Sequence, residues 1–181
     1  MIEYEKKIAQ QTLNILMKKS WNSISLEQVL KNIKVKKNYI KTKFDLLKLI
    51  SKYVDYLLIN NTKSLENSSL KDMLFEVLMA RFDILEEHRK AFLEIYKILK
   101  KKPQQFIKLL PIFLESMITT AELSNYKVNG LKGTIRLKGL MLIYFITFFQ
   151  WTNDKESSLE KTMTALDKNL DQAEKLSKLF L

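Results

Sequence analysis

The sequence predicts an all-α fold, and three observations carry that prediction. Three Gly and two Pro in 181 residues leave little punctuation for hairpins. Apolar residues recur at the three-and-four spacing of helices along most of the chain. A hydrophobic fraction of 46% against 28% charged is that of a globular protein, long enough for one compact unit or a small head with a larger body. The expected division is a head at residues 1–52 and a helical body at 53–181.

Residues 3–19 read as the first helix, with Ile8, Thr12, Ile15 and Leu16 on one face and Lys18 and Lys19 complementing the dipole at its end. Residues 25–50 carry the most informative pattern. Ser25 with Gln28 fits a capping box. Leu26, Val29 and Leu30 then face one side of a helix about two turns long, and Val35 plugs a tight turn. A second short helix is expected over 36–42, with Tyr39 and Ile40 inward and Lys36, Lys37, Asn38 and Lys41 outward. This is the pattern of a helix-turn-helix, whose second helix lies in the DNA major groove. Eight lysines and two acids (Glu27, Asp45) between residues 25 and 52 place +6 of the chain's +11 there, an electrostatic footprint for a polyanion.

The body follows. Residues 45–59 form a helix with Leu46, Leu47, Ile50, Val54, Leu57 and Leu58 inward, and 60–69 a loop. Residues 70–87 are apolar on several faces (Met73, Leu74, Val77, Leu78, Phe82, Ile84, Leu85), which marks a central helix. His88, the one histidine, stands at a helix end and reads as a cap or surface group rather than a ligand. Residues 90–102 are the next helix. Pro103 suits the first position of another that runs to about residue 126, where Pro111 is expected to kink it or break its first turns. Asn129, Gly130 and Gly133 make the next turn. Residues 135–151 and 159–180 are the last two helices. Their stripes are Leu140, Ile143, Tyr144, Thr147, Phe148 and Trp151, and Leu159, Met163, Leu166, Leu170, Ala173, Leu176 and Phe180. The second is near-heptad, as helices packed at a shallow angle require. No residue from 139 to 153 is charged, yet a spanning helix needs about 20 apolar residues, so this is expected to be a buried core helix, with lipid contact the lesser reading.

Residues 25–50 resemble the signature of the TetR family of bacterial transcriptional regulators at Ser25, Val29, Val35, Lys43, Leu46 and Leu47, with the preceding helix ending near Trp21. Two departures stand. The turn's alanine-glycine is Ile33-Lys34, and about three residues are missing before the Lys43-x-x-Leu46 element. A Lys is costly where φ must be positive, so either the turn is built differently or DNA binding has decayed. The motif RFDILEEHRKAF, the pair Trp151 and Asp154, and KTMTALDKNLDQAEKL are similar to an α-proteobacterial TetR-type subgroup. That subgroup in turn resembles, over its final helices, lipid-binding accessory proteins of ubiquinone biosynthesis that have lost DNA binding.

The resemblance implies a TetR-like fold, with an N-terminal three-helix helix-turn-helix domain and a C-terminal helical ligand and dimerisation domain. It implies a homodimer through the last two helices, at Leu140, Tyr144, Phe148, Trp151, Leu159, Met163, Leu166 and Leu170. Lys36, Lys37, Asn38, Lys41 and Thr42 would enter the major groove, Tyr39 would support the helix or meet a phosphate, and Lys34 and Lys43 would hold phosphates. Phe82, Phe92, Tyr96, Phe113, Met117 and Tyr144 are candidates for a pocket that takes a small apolar ligand, or else plain core.

Chemistry that is absent narrows the field. With no cysteine, disulfides, thiolate metal sites and a Cys nucleophile are excluded. The start MIEYEKKIAQQ carries acids and no apolar run, unlike a signal peptide, so a cytoplasmic protein is expected. The three glycines form no phosphate loop. Glu86-Glu87 and Asp167-Asp171 read as solvated faces or ion pairs. Neither an enzyme nor a cofactor is expected. The reading is a homodimeric, ligand-responsive regulator of double-stranded DNA; the alternative is a lipid- or quinone-binding accessory protein with a vestigial head.

Overall fold

The protein is all-helical. Its structure, a computed structural model, describes residues 1–34, 39–63, 68–156 and 158–180, the last five of these by backbone alone. The described residues form eight α-helices and no strand: α1 (Glu3–Leu16), α2 (Leu26–Leu30), α3 (Lys43–Asn61), α4 (Leu70–Glu87), α5 (Arg89–Lys101), α6 (Pro103–Leu123), α7 (Gly130–Asn153) and α8 (Glu160–Phe180), with a 3₁₀ turn at Trp21–Ser23. The chain divides into two compact units. One comprises Met1–Leu57 and Ile84–Ile112, the other Leu58–Asp83 and Phe113–Leu181. The first unit therefore combines the expected head with a segment far along the chain.

In the first unit α1 packs on α2 and α5, and α5 also meets the 3₁₀ turn. Ile8, Ala9, Leu13 and Leu16 of α1 are wholly buried, with Trp21, Val29, Leu46, Ile50, Ala91, Phe92 and Ile95 completing that core. The first helix stops at Leu16, short of the expected residue 19. Lys18 N–H and Lys19 N–H both bond Ile15 O, which tightens the chain into the 3₁₀ turn. His88 sits at the N-cap of α5, its carbonyl accepting from the N–H groups of Ala91 and Phe92. Half-burial pushes its pKa down.

In the second unit α7 and α8 make the most extensive helix pairing. Leu140, Tyr144, Thr147 and Trp151 of α7 and Leu159, Thr162, Leu166 and Leu170 along α8 are buried. Asn169 Nδ2 donates to Thr147 Oγ1 across the pair (3.2 Å). Asp154 locks the connection: buried (1% exposed), it accepts from Thr162 N–H and Thr162 Oγ1, both at 2.9 Å, and from Glu156 N–H at 3.2 Å. Burial pushes its carboxyl pKa up, but the three donors outweigh that and hold it below the usual range. Arg81 is also buried, donating to Ser116 Oγ (2.8 Å) and Thr120 Oγ1 (3.1 Å) of α6. Lys71 bonds Asp167 (2.8 Å) and Asp171 (2.6 Å), joining α4 to α8.

Several expectations are corrected. Gly130 and Gly133 lie inside α7 rather than in a turn before it, and the helix begins five residues early. A Cβ on Gly133 would come within 2.0 Å of the Val128 carbonyl carbon, so the incoming chain can lie against α7 only where there is no side chain. α6 is not broken at Pro111 and runs as one helix from Pro103 to Leu123. Thr162, not Met163, takes the buried position of α8, and Met163 is 41% exposed. The side chains of Leu176 and Phe180, which would extend the stripe, lie outside the described residues.

Candidate nucleic-acid interface

Sequence order alone builds the first part of the basic segment. Ser25 Oγ caps α2 by accepting from Gln28 N–H (3.1 Å), the half of the expected capping box that forms. α2 then ends at once. Asn32 takes a positive φ of 67°, a conformation Asn adopts more readily than other non-glycine residues. The left-handed position of the turn thus falls on Asn32, two residues before Lys34, and the expected conflict of Lys34 with a positive φ does not arise.

Val35, Lys36, Lys37 and Asn38 lie outside the described residues. The remainder of the expected second helix, residues 39–42, is not helical. Two sets of contacts account for this. Tyr39 donates its hydroxyl to Glu5 Oε1 on α1 and packs its ring edge-on against Tyr4 (5.0 Å between centroids). Ile40 beside it is buried. Thr42 is the residue before α3. Asp45 Oδ2, three residues on, accepts from Lys41 N–H (3.1 Å), Thr42 N–H (3.0 Å) and Thr42 Oγ1 (3.1 Å). Those amides serve a cap, which requires non-helical backbone, and so are not available to a preceding helix.

The ionisable groups show the same fastening. Burial raises the Glu5 pKa, but Tyr39 O–H, Ile2 N–H (3.1 Å) and the charge of Lys52 prevail, and the net direction is down. Burial and the Glu5 carboxylate push the Tyr39 phenol upward. Asp45 is likewise lowered, its burial outweighed by the Thr42 and Lys41 donors.

The predicted contact residues thus separate. Lys34 and Lys41 are exposed, as are Lys31, Lys48 and Lys52. Tyr39 faces α1 rather than solvent, and Thr42 is occupied by the α3 cap. Lys43 Nζ donates to the carbonyls of Trp21 (3.3 Å) and Asn22 (3.1 Å), closing the 3₁₀ turn rather than standing free for a phosphate. Sequence reasoning missed Glu5, Tyr4, Asn32 and Asp45 as the residues that set this segment. A signal was available only for Asp45, three residues beyond a Thr.

Charge divides as the fold does. Counted from the sequence, the first unit has 19 basic and 8 acidic residues, the second 12 of each. The whole formal charge of +11 therefore belongs to the first unit.

The expected ligand-pocket residues fall in different units. Phe92 and Tyr96 are in the first; Phe82, Phe113, Met117 and Tyr144 are in the second. Phe82 and Met117 are wholly buried, and Phe82 stacks on Tyr144 (5.6 Å), while Phe113 packs edge-on to Phe145 (5.5 Å). Of the expected dimer contacts, Leu140, Tyr144, Trp151, Leu159, Leu166 and Leu170 are buried within their own chain, Phe148 is half-buried against Trp151, and Met163 is exposed.

The segment expected to be a buried helix also has an open side. Leu131 (84% exposed), Ile135 (54%), Leu142 (60%), Ile146 (43%) and Phe149 (50%) all belong to α7. At roughly 100° per residue these five fall within an arc of about 60°, and the buried Leu140, Tyr144, Thr147 and Trp151 occupy the opposite arc. α7 is thus apolar on two faces, of which its own chain covers one. Among the described residues no helix is long and apolar enough to cross a membrane. No protein-family model matches the chain, and no curated protein matches it in sequence.

Proposed function

We propose that the protein is a cytoplasmic, homodimeric DNA-binding regulator of TetR type that responds to a small apolar ligand. The observation that carries the reading is the partition of charge: a unit of +11 bearing the helix-turn-helix pattern, and a neutral second unit. Phosphates meet the exposed Lys31, Lys34 and Lys41, and Lys36, Lys37 and Asn38 are the base-reading residues by sequence. Tyr39, Thr42 and Lys43 hold the segment in place from behind.

The second copy docks on the open face of α7, through Leu131, Ile135, Leu142, Ile146 and Phe149, in place of the stripe already buried. An exposed apolar strip of that length, interrupted on its arc by Lys138, marks an interaction site. All the charges of α7 (Lys132, Arg136, Lys138) lie in its first half. An antiparallel pair across a twofold axis therefore sets each basic end against the uncharged end of its twin.

Duplex binding at rising salt tests the proposal. The apparent affinity falls with a log–log slope of about −0.9 per phosphate neutralised, so Lys31→Ala, Lys34→Ala and Lys41→Ala together reduce its magnitude by roughly 2.7. A slope and affinity unchanged by the triple variant remove the regulator reading. Leu142→Glu with Phe149→Glu yields a monomer in sedimentation velocity; a dimer that survives both substitutions removes α7 as the docking face.

One observation favours the alternative, a lipid- or quinone-binding accessory protein with a vestigial head: the end of the expected recognition helix, residues 39–42, is spent on capping and on α1. Failure to select any duplex over random sequence, with retention of an extracted apolar molecule, decides for it.

A further inference from the structure

A second basic surface lies in the first unit, away in sequence from the helix-turn-helix segment. Residues 97–112 contain five lysines and no acid. Lys97 is paired with Glu94 at 2.7 Å. Lys100, Lys101, Lys102 and Lys108 are all exposed, at the end of α5 and in the second turn of α6. The first two complement the C-terminal end of the α5 dipole, and Lys102 caps that helix with its N–H bonded to Ile98 O (2.9 Å).

What sets this corner apart from a solvated lysine run is the apolar group among the charges. Ile107 is 62% exposed, although Leu109, two residues on, is 4% exposed and supplies the buried side of the same helix. Gln104, Ile107, Lys108 and Pro111 share one exposed face of α6 within an arc of roughly 100°. Exposed lysines at the α5–α6 joint, with Lys108 beside a protruding aliphatic residue on the same face of α6, match the two layers of an anionic bilayer surface, headgroup phosphates outside and acyl chains beneath. The lysine stems can lie along the interface with their ammonium groups among the headgroups. A duplex backbone satisfies the lysines but has no apolar layer for Ile107 and Pro111.

We propose that the α5–α6 corner, through Lys100, Lys101, Lys102, Ile107 and Lys108, docks the protein reversibly on membranes rich in anionic lipid. This surface does not depend on the regulator reading, and its test separates the two. The full chain is cosedimented with vesicles of phosphatidylglycerol and phosphatidylcholine, and with phosphatidylcholine alone. Binding is expected to the first and not the second, and to weaken with salt. Lys100→Glu, Lys101→Glu and Lys102→Glu together should lower vesicle binding at least tenfold. Ile107→Ser, which removes no charge, should lower it several-fold while leaving duplex affinity unchanged. Ile107→Trp, at a position open enough to accept it, should bind more tightly and shift its emission to the blue with vesicles; Trp21 and Trp151, both buried, give the constant background. The Lys31, Lys34 and Lys41 triple alanine variant should keep its vesicle binding. Wild-type protein that stays in the supernatant with anionic vesicles overturns the proposal. So does an Ile107→Ser variant that sediments like wild type, or a Lys100–Lys102 charge reversal that weakens duplex binding and leaves vesicle binding intact.

Discussion

Replacing Asp154 tests how the α7–α8 pair is held together, and with it the presentation of the open α7 face. Its carboxylate is 1% exposed and receives two bonds from Thr162, itself wholly buried, and one from Glu156 N–H. Asp154→Ala removes the acceptor from two buried donors of Thr162, at about 1–2 kcal/mol each, and from Glu156 N–H, at about 1 kcal/mol, so the expected loss is about 3–5 kcal/mol. Asp154→Asn preserves the shape and one acceptor oxygen, and the loss falls to about 1–2 kcal/mol. For a chain of this size each kcal/mol shifts the midpoint by about 2–4 °C, so the alanine variant melts roughly 6–20 °C lower. Trp151 lies in the same unit and Trp21 in the other. Emission in a Trp21→Phe background therefore follows the unit that contains Asp154. The sign with pH follows from the lowered pKa. The stabilisation is fully present above the ordinary carboxylate pKa of about 4, and is lost as pH falls through the lower folded-state value. Asp154→Asn, having no such proton to bind, loses this part of the acid sensitivity. Glu160→Ala, on the exposed side of the same helix start, stays within about 0.5 kcal/mol of wild type. If Asp154→Ala matches that control, or Asp154→Asn leaves the acid transition unchanged, the latch reasoning fails.

Tyr39→Phe leaves Glu5 without its hydroxyl donor and destabilises the first unit by about 1–2 kcal/mol; a double-mutant cycle with Glu5→Gln that is strictly additive would refute the coupling. Because the Glu5 pKa is lowered, the Tyr39 bond stabilises at neutral pH and fades on acidification, so Tyr39→Phe approaches wild type in acid. The three glycines of α7 should separate by their surroundings in thermal melts. Gly139→Ala meets nothing within 4 Å and stabilises by up to about 1 kcal/mol. Gly130→Ala is strained by its φ of +71° and costs about 1 kcal/mol. Gly133→Ala drives a Cβ into the Val128 backbone and costs more than about 3 kcal/mol; the same rank for all three would contradict the close approach.

Much of the architecture was legible from spacing. The expected α4 coincides with the observed Leu70–Glu87, and the expected last helix begins one residue from the observed Glu160, because apolar residues at three-and-four intervals report a helix wherever several turns are available to count. The reading weakened where counting was short. Over 36–42 about two turns of pattern stood against a Thr-x-x-Asp cap, and for the described residues the cap prevailed. At Gly130 and Gly133 composition suggested a turn, whereas the second glycine provides room for Val128 against α7.

By itself the sequence determined that the chain is helical, where most helices lie, and that +6 of its +11 sits between residues 25 and 52. These are local properties, set by residue spacing and by what each side chain carries. Tertiary structure alone decided which of the two apolar faces of α7 is covered, because periodicity measures how apolar a stripe is and not what lies across from it. It decided too that Tyr39 turns to Glu5, 34 residues away, and Lys43 to the carbonyls of Trp21 and Asn22. It gathered all the net charge in one unit by bringing Ile84–Ile112 to Met1–Leu57. A hydrogen bond or an apolar contact between distant residues depends on where the chain returns, and that is set by burial of the whole core rather than by any window of sequence.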